Sequence, residues 1–336
     1  MRLTVCVVNF NSGPLLGRCL DSLEKASTGL DYEVLVVDNG SHDGSSATAE
    51  GRTRTRLLRN GFNPGFAAAN NLAFREARGR DFVLLNADTE VLPGALEALV
   101  RFAEANPRAG LVAVRLLNFD GTPQKGFNIR RFPTFSSLAA QALLLDEVWP
   151  KNPWTRAAGA FDLDYDRPQR VEQPAASALF FRRETWNEVG GFDPDFANWF
   201  NDVDLCRRVA AAGWEVWYCP QARVLHHGGK GSVSRTRADV MKEYYRSERA
   251  YVLKHHGPLA YLAMSLAVTG GMVLRLAASA GRRRVLGSTY RLTDRAGVSG
   301  YRAGVRAVIA DTVAGLVGGA APRSRPEAAG SHAGTR

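Results

Sequence analysis

Three short apolar runs near the start of the chain, residues 3–8, 33–37 and 82–85, each end in amides and carboxylates. The endings are Asn9-Phe10-Asn11, Asp38-Asn39-Gly40-Ser41 and Asn86-Ala87-Asp88. An unbroken apolar run such as Leu3-Thr4-Val5-Cys6-Val7-Val8 suits a strand covered on both faces. Between the runs lie segments of helical period. Ser12-Gly13-Pro14 opens one in which Leu15, Leu16, Cys19, Leu20 and Leu23 recur on a single face. Residues 55–58 read as a further short strand and 66–77 as an alanine-rich helix. Strands alternating with helices predict a parallel α/β sheet. Such sheets bind ligands beyond the carboxyl ends of their strands, where these polar clusters fall.

Several chemistries are excluded by what those strand ends lack. No GxGxxG follows the first strand, no GxxxxGK[ST] occurs, and a GxSxG elbow is absent. A crevice set with carboxylates and amides suits a metal–diphosphate better than a bare dinucleotide, because a carboxylate holds Mg²⁺ or Mn²⁺ and the metal neutralises the phosphates. The four cysteines, Cys6, Cys19, Cys206 and Cys219, are too scattered for a disulfide framework and form no CxxC pair. They are expected to be reduced and packed as small hydrophobes in a cytoplasmic protein. Most of the six tryptophans are expected in the core by size alone.

The strand ends, together with later motifs, give a chain that resembles the family 2 inverting glycosyltransferases of GT-A fold. The resemblance spans roughly residues 3–255. It is carried by Val8-Asn9-Phe10-Asn11, by Val37-Asp38-Asn39-Gly40-Ser41-His42-Asp43-Gly44-Ser45, and by Asn60-Gly61-Phe62-Asn63-Pro64-Gly65-Phe66-Ala67 with Asn70. Leu85-Asn86-Ala87-Asp88-Thr89, Gly190-Gly191-Phe192-Asp193, Trp199-Phe200-Asn201-Asp202-Val203-Asp204 and Val224-Leu225-His226-His227 complete it. Within the family it is similar to bacterial rhamnosyltransferase-type members, through Arg130-Arg131-Phe132-Pro133-Thr134, Trp149-Pro150-Lys151-Asn152-Pro153-Trp154 and Glu172-Gln173-Pro174-Ala175. The fold implied is a Rossmann-like mixed sheet.

The resemblance implies a role for each matching residue. Val8, Asn9, Asn70 and Asn86 border the donor nucleotide, Phe10 stacks beside its pyrimidine, and Asp38 or Asn39 accepts its imide N–H. Asp88 is the single carboxylate of a degenerate Asp-x-Asp element holding Mg²⁺ or Mn²⁺, with His226 as second metal ligand or diphosphate contact. Asp202 is the general base, and Trp199, Gly191 and Asn201 lie on the acceptor side. The chemistry asks for these types on its own terms. In-line displacement at an anomeric carbon needs one base opposite the nucleotide, and the departing diphosphate gains charge that a metal stabilises. Asp202 opens a helix expected over 202–212, whose first-turn N–H groups favour a carboxylate. Asp204 lies off that face and is placed to pair with Arg208 four residues on. Two positions depart from the family pattern: Asn201 stands where Glu is usual, and Ala87 precedes the metal carboxylate.

The charge of the chain is lopsided. Residues 223–336 hold 19 Lys/Arg and 6 Asp/Glu, a surplus of 13, whereas residues 1–222 hold 24 and 27. The basic excess flanks apolar helical sequence at 259–281 and 305–317. That pairing fits helices resting on an anionic membrane surface better than a span or plain core helices. No aromatic–basic interleaving points to nucleic acid. The expected organisation is a catalytic domain over 1–255, a basic apolar helical segment over 256–317, and a Gly/Ala/Pro-rich tail over 318–336. The function implied is transfer of one sugar, with dTDP-rhamnose the first candidate donor, to a polyprenyl-diphosphate-linked saccharide during cell-wall or surface-polysaccharide assembly, by an enzyme peripheral on the inner face of the cell membrane. The alternative is a catalytically silent sugar-nucleotide or lipid-saccharide binding protein of the same fold.

Overall fold

The computed structural model describes residues 1–26, 29–228 and 237–293, with Arg302, Gly304 to Arg306 and Ala310. The described residues divide into two compact units, one formed by the chain up to Phe132 and from Gly159 to Gly228, the other by Pro133–Ala158 and the residues from Arg237 on.

The first unit begins with the expected alternation. In order come β1 (Leu3–Asn9), α1 (Leu15–Ala26), β2 (Tyr32–Asp38), β3 (Thr55–Arg59), α2 (Phe66–Glu76) and β4 (Asp81–Asn86). Next are β5 (Thr89–Val91), α3 (Ala95–Ala105), β6 (Ala109–Leu117) and β7 (Ile129–Arg130). After the excursion into the second unit the chain adds β8 (Gln169–Arg170), β9 (Gln173–Pro174), β10 (Ala178–Phe181), α7 (Arg183–Val189), α8 (Asn201–Ala211) and β11 (Glu215–His226). The main sheet runs β3-β2-β1-β4-β10-β6-β11-β5, with β8 paired to β11. Its first four strands are parallel, β10 lies antiparallel between β4 and β6, and β11 is parallel to β6. The mixed sheet is therefore the one expected.

Alternate residues of β1 explain its unbroken apolar run. Leu3, Val5 and Val7 join the core packed by α1 and α3, while Cys6 faces the core that contains Leu35, Phe74, Phe82 and Leu205. All four cysteines are free and buried, as expected, and burial pushes the Cys19 thiol up to about 12. The tryptophans divide differently from expectation: Trp149, Trp154 and Trp199 are exposed, because each sits in a loop or short helix rather than on a sheet-facing position.

The lower edge of the sheet is tied by a buried carboxylate. Glu33 accepts from Thr4 Oγ1 at 2.9 Å, from the Arg78 amide at 2.8 Å and from Arg56 Nη1 at 3.0 Å. Burial alone raises its pKa, but these donors outweigh it and hold the carboxyl below the usual value. The Thr4 hydroxyl in turn accepts from the Gly79 amide at 2.8 Å. Gly79 lies so close to β1 that an added Cβ would sit 2.4 Å from the Leu3 carbonyl carbon.

In the second unit, α4 (Phe135–Ala142), α5 (Leu145–Val148) and α6 (Pro153–Ala158) accompany the long α9 (Arg237–Thr293). Thr134 caps α4 through a reciprocal box with Ser137. Gly257, at φ +85°, and Pro258 lie inside α9. Val240–Arg275 is long and apolar enough to cross a membrane by length and composition. Most of the expected apolar segment 305–317, and all of the tail 318–336, lie outside the described residues.

A depressed native carboxyl contributes stability that is present at neutral pH and lost as pH falls through its folded-state pKa. Glu33→Gln is therefore expected to lower stability at pH 7 by roughly 1–3 kcal/mol and to flatten the loss of stability below pH ~5. Urea melts of both chains across that range check it.

Candidate active site

Register places the polar strand ends at one level. Asn9 pairs with Asp38 across β1 and β2, and Val8 with Asn86 across β1 and β4. Asn9 is fully buried, and its Nδ2 donates to Asp38 Oδ1 at 2.7 Å, Ser45 Oγ at 2.9 Å and Ser41 Oγ at 3.0 Å. Its Oδ1 accepts from Ser12 Oγ. The second Asp38 oxygen accepts from the Ser41 amide at 3.1 Å. Asn39 Oδ1 accepts from Asn60 Nδ2 at 2.8 Å, and its own Nδ2 reaches Asn63 Oδ1 at 3.3 Å. Asn9, Asp38 and Asn39 thus hold the loops that follow β1, β2 and β3, and all three are buried. Val8 and Phe10 beside them are partly exposed, Phe10 lying edge-on to His42 at 6.5 Å.

Asn70, inside α2, donates to the Phe66 carbonyl at 2.9 Å, and its buried Oδ1 has no partner among the described residues. Asn86 ends β4 with its side chain partly exposed, while its amide donates to the Ser177 carbonyl at 2.9 Å.

The sequence-predicted metal pair comes together. β5 pairs antiparallel with the end of β11, with Thr89 opposite His226, which brings Asp88 Oδ1 to 3.5 Å from His226 Nε2. Gln124, which the sequence did not mark, fixes the imidazole. Its Nε2 donates to the His226 carbonyl at 2.9 Å, so its Oε1 must be the atom 3.0 Å from His226 Nδ1. Nδ1 therefore carries the hydrogen, and in the neutral ring Nε2 presents a lone pair towards the Asp88 carboxylate. Phe127 stacks on the same ring at 5.3 Å. Two acceptors facing each other, one oriented by an amide behind it, fit a shared divalent cation. No set of three His, Cys, Asp or Glu able to hold a metal occurs among the described residues, so the remaining positions would fall to diphosphate oxygens and water, as Mg²⁺ commonly accepts.

Asp202 sits one residue inside α8 rather than at its cap. Phe200, at φ +62°, turns the chain in the left-handed region and Asn201 begins the helix. Asp202 Oδ1 accepts from the Val203 amide at 2.8 Å. Its Oδ2 accepts from Gln173 Nε2 at 3.1 Å and Arg130 Nη2 at 3.2 Å. Both donors come from the small antiparallel pair β7–β9. Each belongs to a passage that suggested the rhamnosyltransferase type, although nothing in their spacing pointed at Asp202. Asp204 makes the expected pair with Arg208, at 2.8 Å.

Asn201 is buried with its Nδ2 unpartnered among the described residues, and Trp199 is exposed. Gly191 is a packing position: at φ +67°, an added Cβ would lie 2.1 Å from the Trp186 ring.

One stretch links the two clusters. Gln124 on His226 and Arg130 on Asp202 are six residues apart, in a chain folded back by bonds from the Phe127 and Asn128 amides to the Gln124 carbonyl. A second stretch links Asp202 to the strand ends, from Gln173 to the Ser177 carbonyl that receives the Asn86 amide. It can span at most ~14 Å.

Residues 4–163 match the family model described as Glycosyl transferase family 2. The chain is 33% identical over 306 residues to an N-acetylglucosaminyl-diphospho-decaprenol L-rhamnosyltransferase of Mycobacterium tuberculosis, covering 84% of this chain and 96% of that protein. It is 27% identical to the succinoglycan biosynthesis protein ExoO of Rhizobium meliloti, over 75% of this chain and 68% of the relative. Among solved structures it is similar in fold to the mannosyltransferase PcManGT from Pyrobaculum calidifontis in complex with GDP-Man and Mn²⁺. That likeness has a TM-score of 0.52 and 20% identity, and covers 93% of this chain and 87% of the other.

Asn9→Ala removes the partner of Asp38 Oδ1 and of Ser12 Oγ and is expected to cost roughly 1–3 kcal/mol. Hydrogen exchange should localise the change, with the Ser41 amide losing protection before the amides of β1 do.

Proposed function

The chain belongs to glycosyl transferase family 2, and from that premise we propose that it transfers a single sugar, with inversion, from a nucleotide-diphospho-sugar to a hydroxyl of a lipid-linked saccharide. The relative that is named as a rhamnosyltransferase acting on a decaprenol-linked N-acetylglucosamine supports L-rhamnose as the sugar and cell-wall assembly as the setting. The observation that carries the reading is the pairing of two clusters through the 124–130 stretch. One cluster is an acceptor pair fit for a cation, Asp88 and His226, and the other is a carboxylate, Asp202.

In this reading the donor nucleotide lies against the partly exposed Val8, Phe10 and Asn86 at the strand ends, and the buried Asn9, Asp38 and Asn39 hold the loops beside it. Asp88 and His226 would hold Mg²⁺ or Mn²⁺, which supplies charge neutralisation to the diphosphate as it departs. Asp202 takes the acceptor hydroxyl's proton as that oxygen bonds to the anomeric carbon. The anomeric C–O bond to the diphosphate breaks on the opposite face, and the nucleoside diphosphate leaves with the electron pair. Because the leaving group departs as an anion, no second carboxyl acid is required. Arg130, Gln173 and the Val203 amide hold the carboxylate in one orientation, which is worth most when it is also the productive one. Asn201 has no carboxylate to offer, so the proton falls to Asp202. Trp199, exposed just before α8, is placed to line the acceptor.

Asp202→Asn is expected to abolish transfer while nucleotide binding stays within about twofold, since the base acts only in the transition state. Unaltered turnover in that variant would sink the assignment, and NMR of the product's anomeric configuration tests inversion directly. Arg130→Ala should lower kcat by roughly 10–100-fold with little change in donor KM. Gln124→Leu should weaken Mn²⁺ binding in the presence of nucleoside diphosphate by roughly 10–100-fold in calorimetry. Affinity for the nucleotide that is the same with and without Mn²⁺ in the unmodified chain would count against the cation site.

A further inference from the structure

Most of the large exposed apolar side chains that take no part in the proposed chemistry lie in the second unit. On α9, Leu259, Leu266, Val273 and Leu274 are 84%, 64%, 54% and 48% exposed. With Ala263, Gly270 and Ala277 they repeat at intervals of three and four, so they share one face of the helix. Tyr261, Met264, Val268 and Met272, on the other side, are buried. The helix is thus covered by protein on one side and bare on the other.

A second set of apolar residues joins this face. Gly271 lies against the end of α4 so closely that an added Cβ would sit 1.7 Å from the Ala142 carbonyl oxygen. Arg275 donates to the same carbonyl at 2.8 Å and to the Gln141 carbonyl at 3.4 Å, a cation at a helix C-terminus. This junction sets Leu143 against Gly270, within 3.7 Å of where a Cβ would stand and between Leu266 and Val273 on the bare face. Val148, 82% exposed, and then Trp149 and Trp154 follow within the next eleven residues. The loop holding the two indoles is built in advance. The buried Asn152 donates to the Trp149 carbonyl at 3.0 Å and accepts from the Thr155 amide at 2.9 Å, and the rings meet edge to face at 6.2 Å.

The charge of the sequence along this helix selects its partner. From Lys254 to Thr293 there is no Asp or Glu and there are six Lys/Arg. A helix pairing with a second copy of itself would set like charges together and lack the carboxylates that flank such seams. An anionic lipid surface instead attracts the cations, takes up the aliphatic face, and accommodates indoles at its polar boundary. We propose that the bare face of α9 and the Trp149–Trp154 loop together form a docking face for anionic lipid headgroups, with α9 lying along the surface. The inference rests on the reading that the acceptor is lipid-linked, and it specifies the part of the chain that meets the membrane.

Co-sedimentation of the full chain with vesicles of phosphatidylcholine, with and without about one-third phosphatidylglycerol, tests it without nucleotide-sugar or acceptor. The expected result is binding to the anionic vesicles only, weakened by salt. Trp149→Ser/Trp154→Ser and Leu259→Gln/Leu266→Gln should each reduce that binding by about tenfold or more. Should a variant fail to fold, the unmodified chain still decides the matter: its tryptophans should be quenched by brominated phosphatidylcholine mixed into the anionic vesicles, and unquenched fluorescence overturns the proposal. Absence of vesicle binding, or binding indifferent to both pairs of substitutions, overturns it as well. So does a dimer in ultracentrifugation that Leu259→Gln/Leu266→Gln splits, since a second copy then covers the face. Failure of the sugar-transfer reading would leave vesicle binding intact, so the two can fall separately.

Discussion

Everything at the candidate site depends on a register. Parallel strands bonded residue for residue carry their carboxyl ends to a common edge, and here Asn9 stands opposite Asp38 while Val8 stands opposite Asn86. A slip of one residue would turn every side chain of a strand to the other face and break both cores. The apolar alternation that fixes the register is therefore also what aligns the polar ends. Once aligned, those ends need partners, because buried amides and carboxylates without them are costly. Asn9 meets that need for Asp38, Ser41, Ser45 and Ser12 together.

The later half of the first unit reaches the same edge by a different device. β10 is antiparallel to β4, with Ala178 opposite Leu85, so the chain entering β10 arrives at the edge where β4 ends. Gln173, five residues before Ala178, is thereby delivered to Asp202, and Ser177 to Asn86. β11 runs parallel to β6 and finishes at the level of Thr89, which is how His226 meets Asp88. Reversed strands, β10 beside β4 and β5 beside β11, let segments far apart in sequence complete a site begun by the first ninety residues.

That difference governs what can be read from the chain alone. The strand ends are legible because local period and local polarity both point to them. The pairing of Asp204 with Arg208 is legible because helical geometry fixes it. Asp88 and His226 are marked singly through their motifs, and their meeting follows only from β5 pairing with β11. Gln124, Arg130 and Gln173 carry no local signal: each is an ordinary polar residue in a turn or a two-residue strand, and its partner lies between 29 and 102 residues away. α8 starts one residue earlier than its sequence suggests because Phe200 adopts a left-handed turn that a bulky side chain rarely takes. Size alone would put Trp149 and Trp154 in the core, yet a buried asparagine between them holds the loop that leaves both exposed.

The two adjacent positions at the head of α8 explain why an amide at 201 is compatible with the chemistry. Asn201 is buried and its Nδ2 finds no partner among the described residues. A carboxylate in that place would give up its hydration, a larger cost than an amide bears. Asp202 is in the opposite situation, since Val203, Gln173 and Arg130 converge on it from three elements. A helix offers two neighbouring residues directions about 100° apart, so only one of them can meet the β7–β9 pair. The pair meets 202. The charge stands where the fold has gathered donors for it, and the buried residue beside it is neutral.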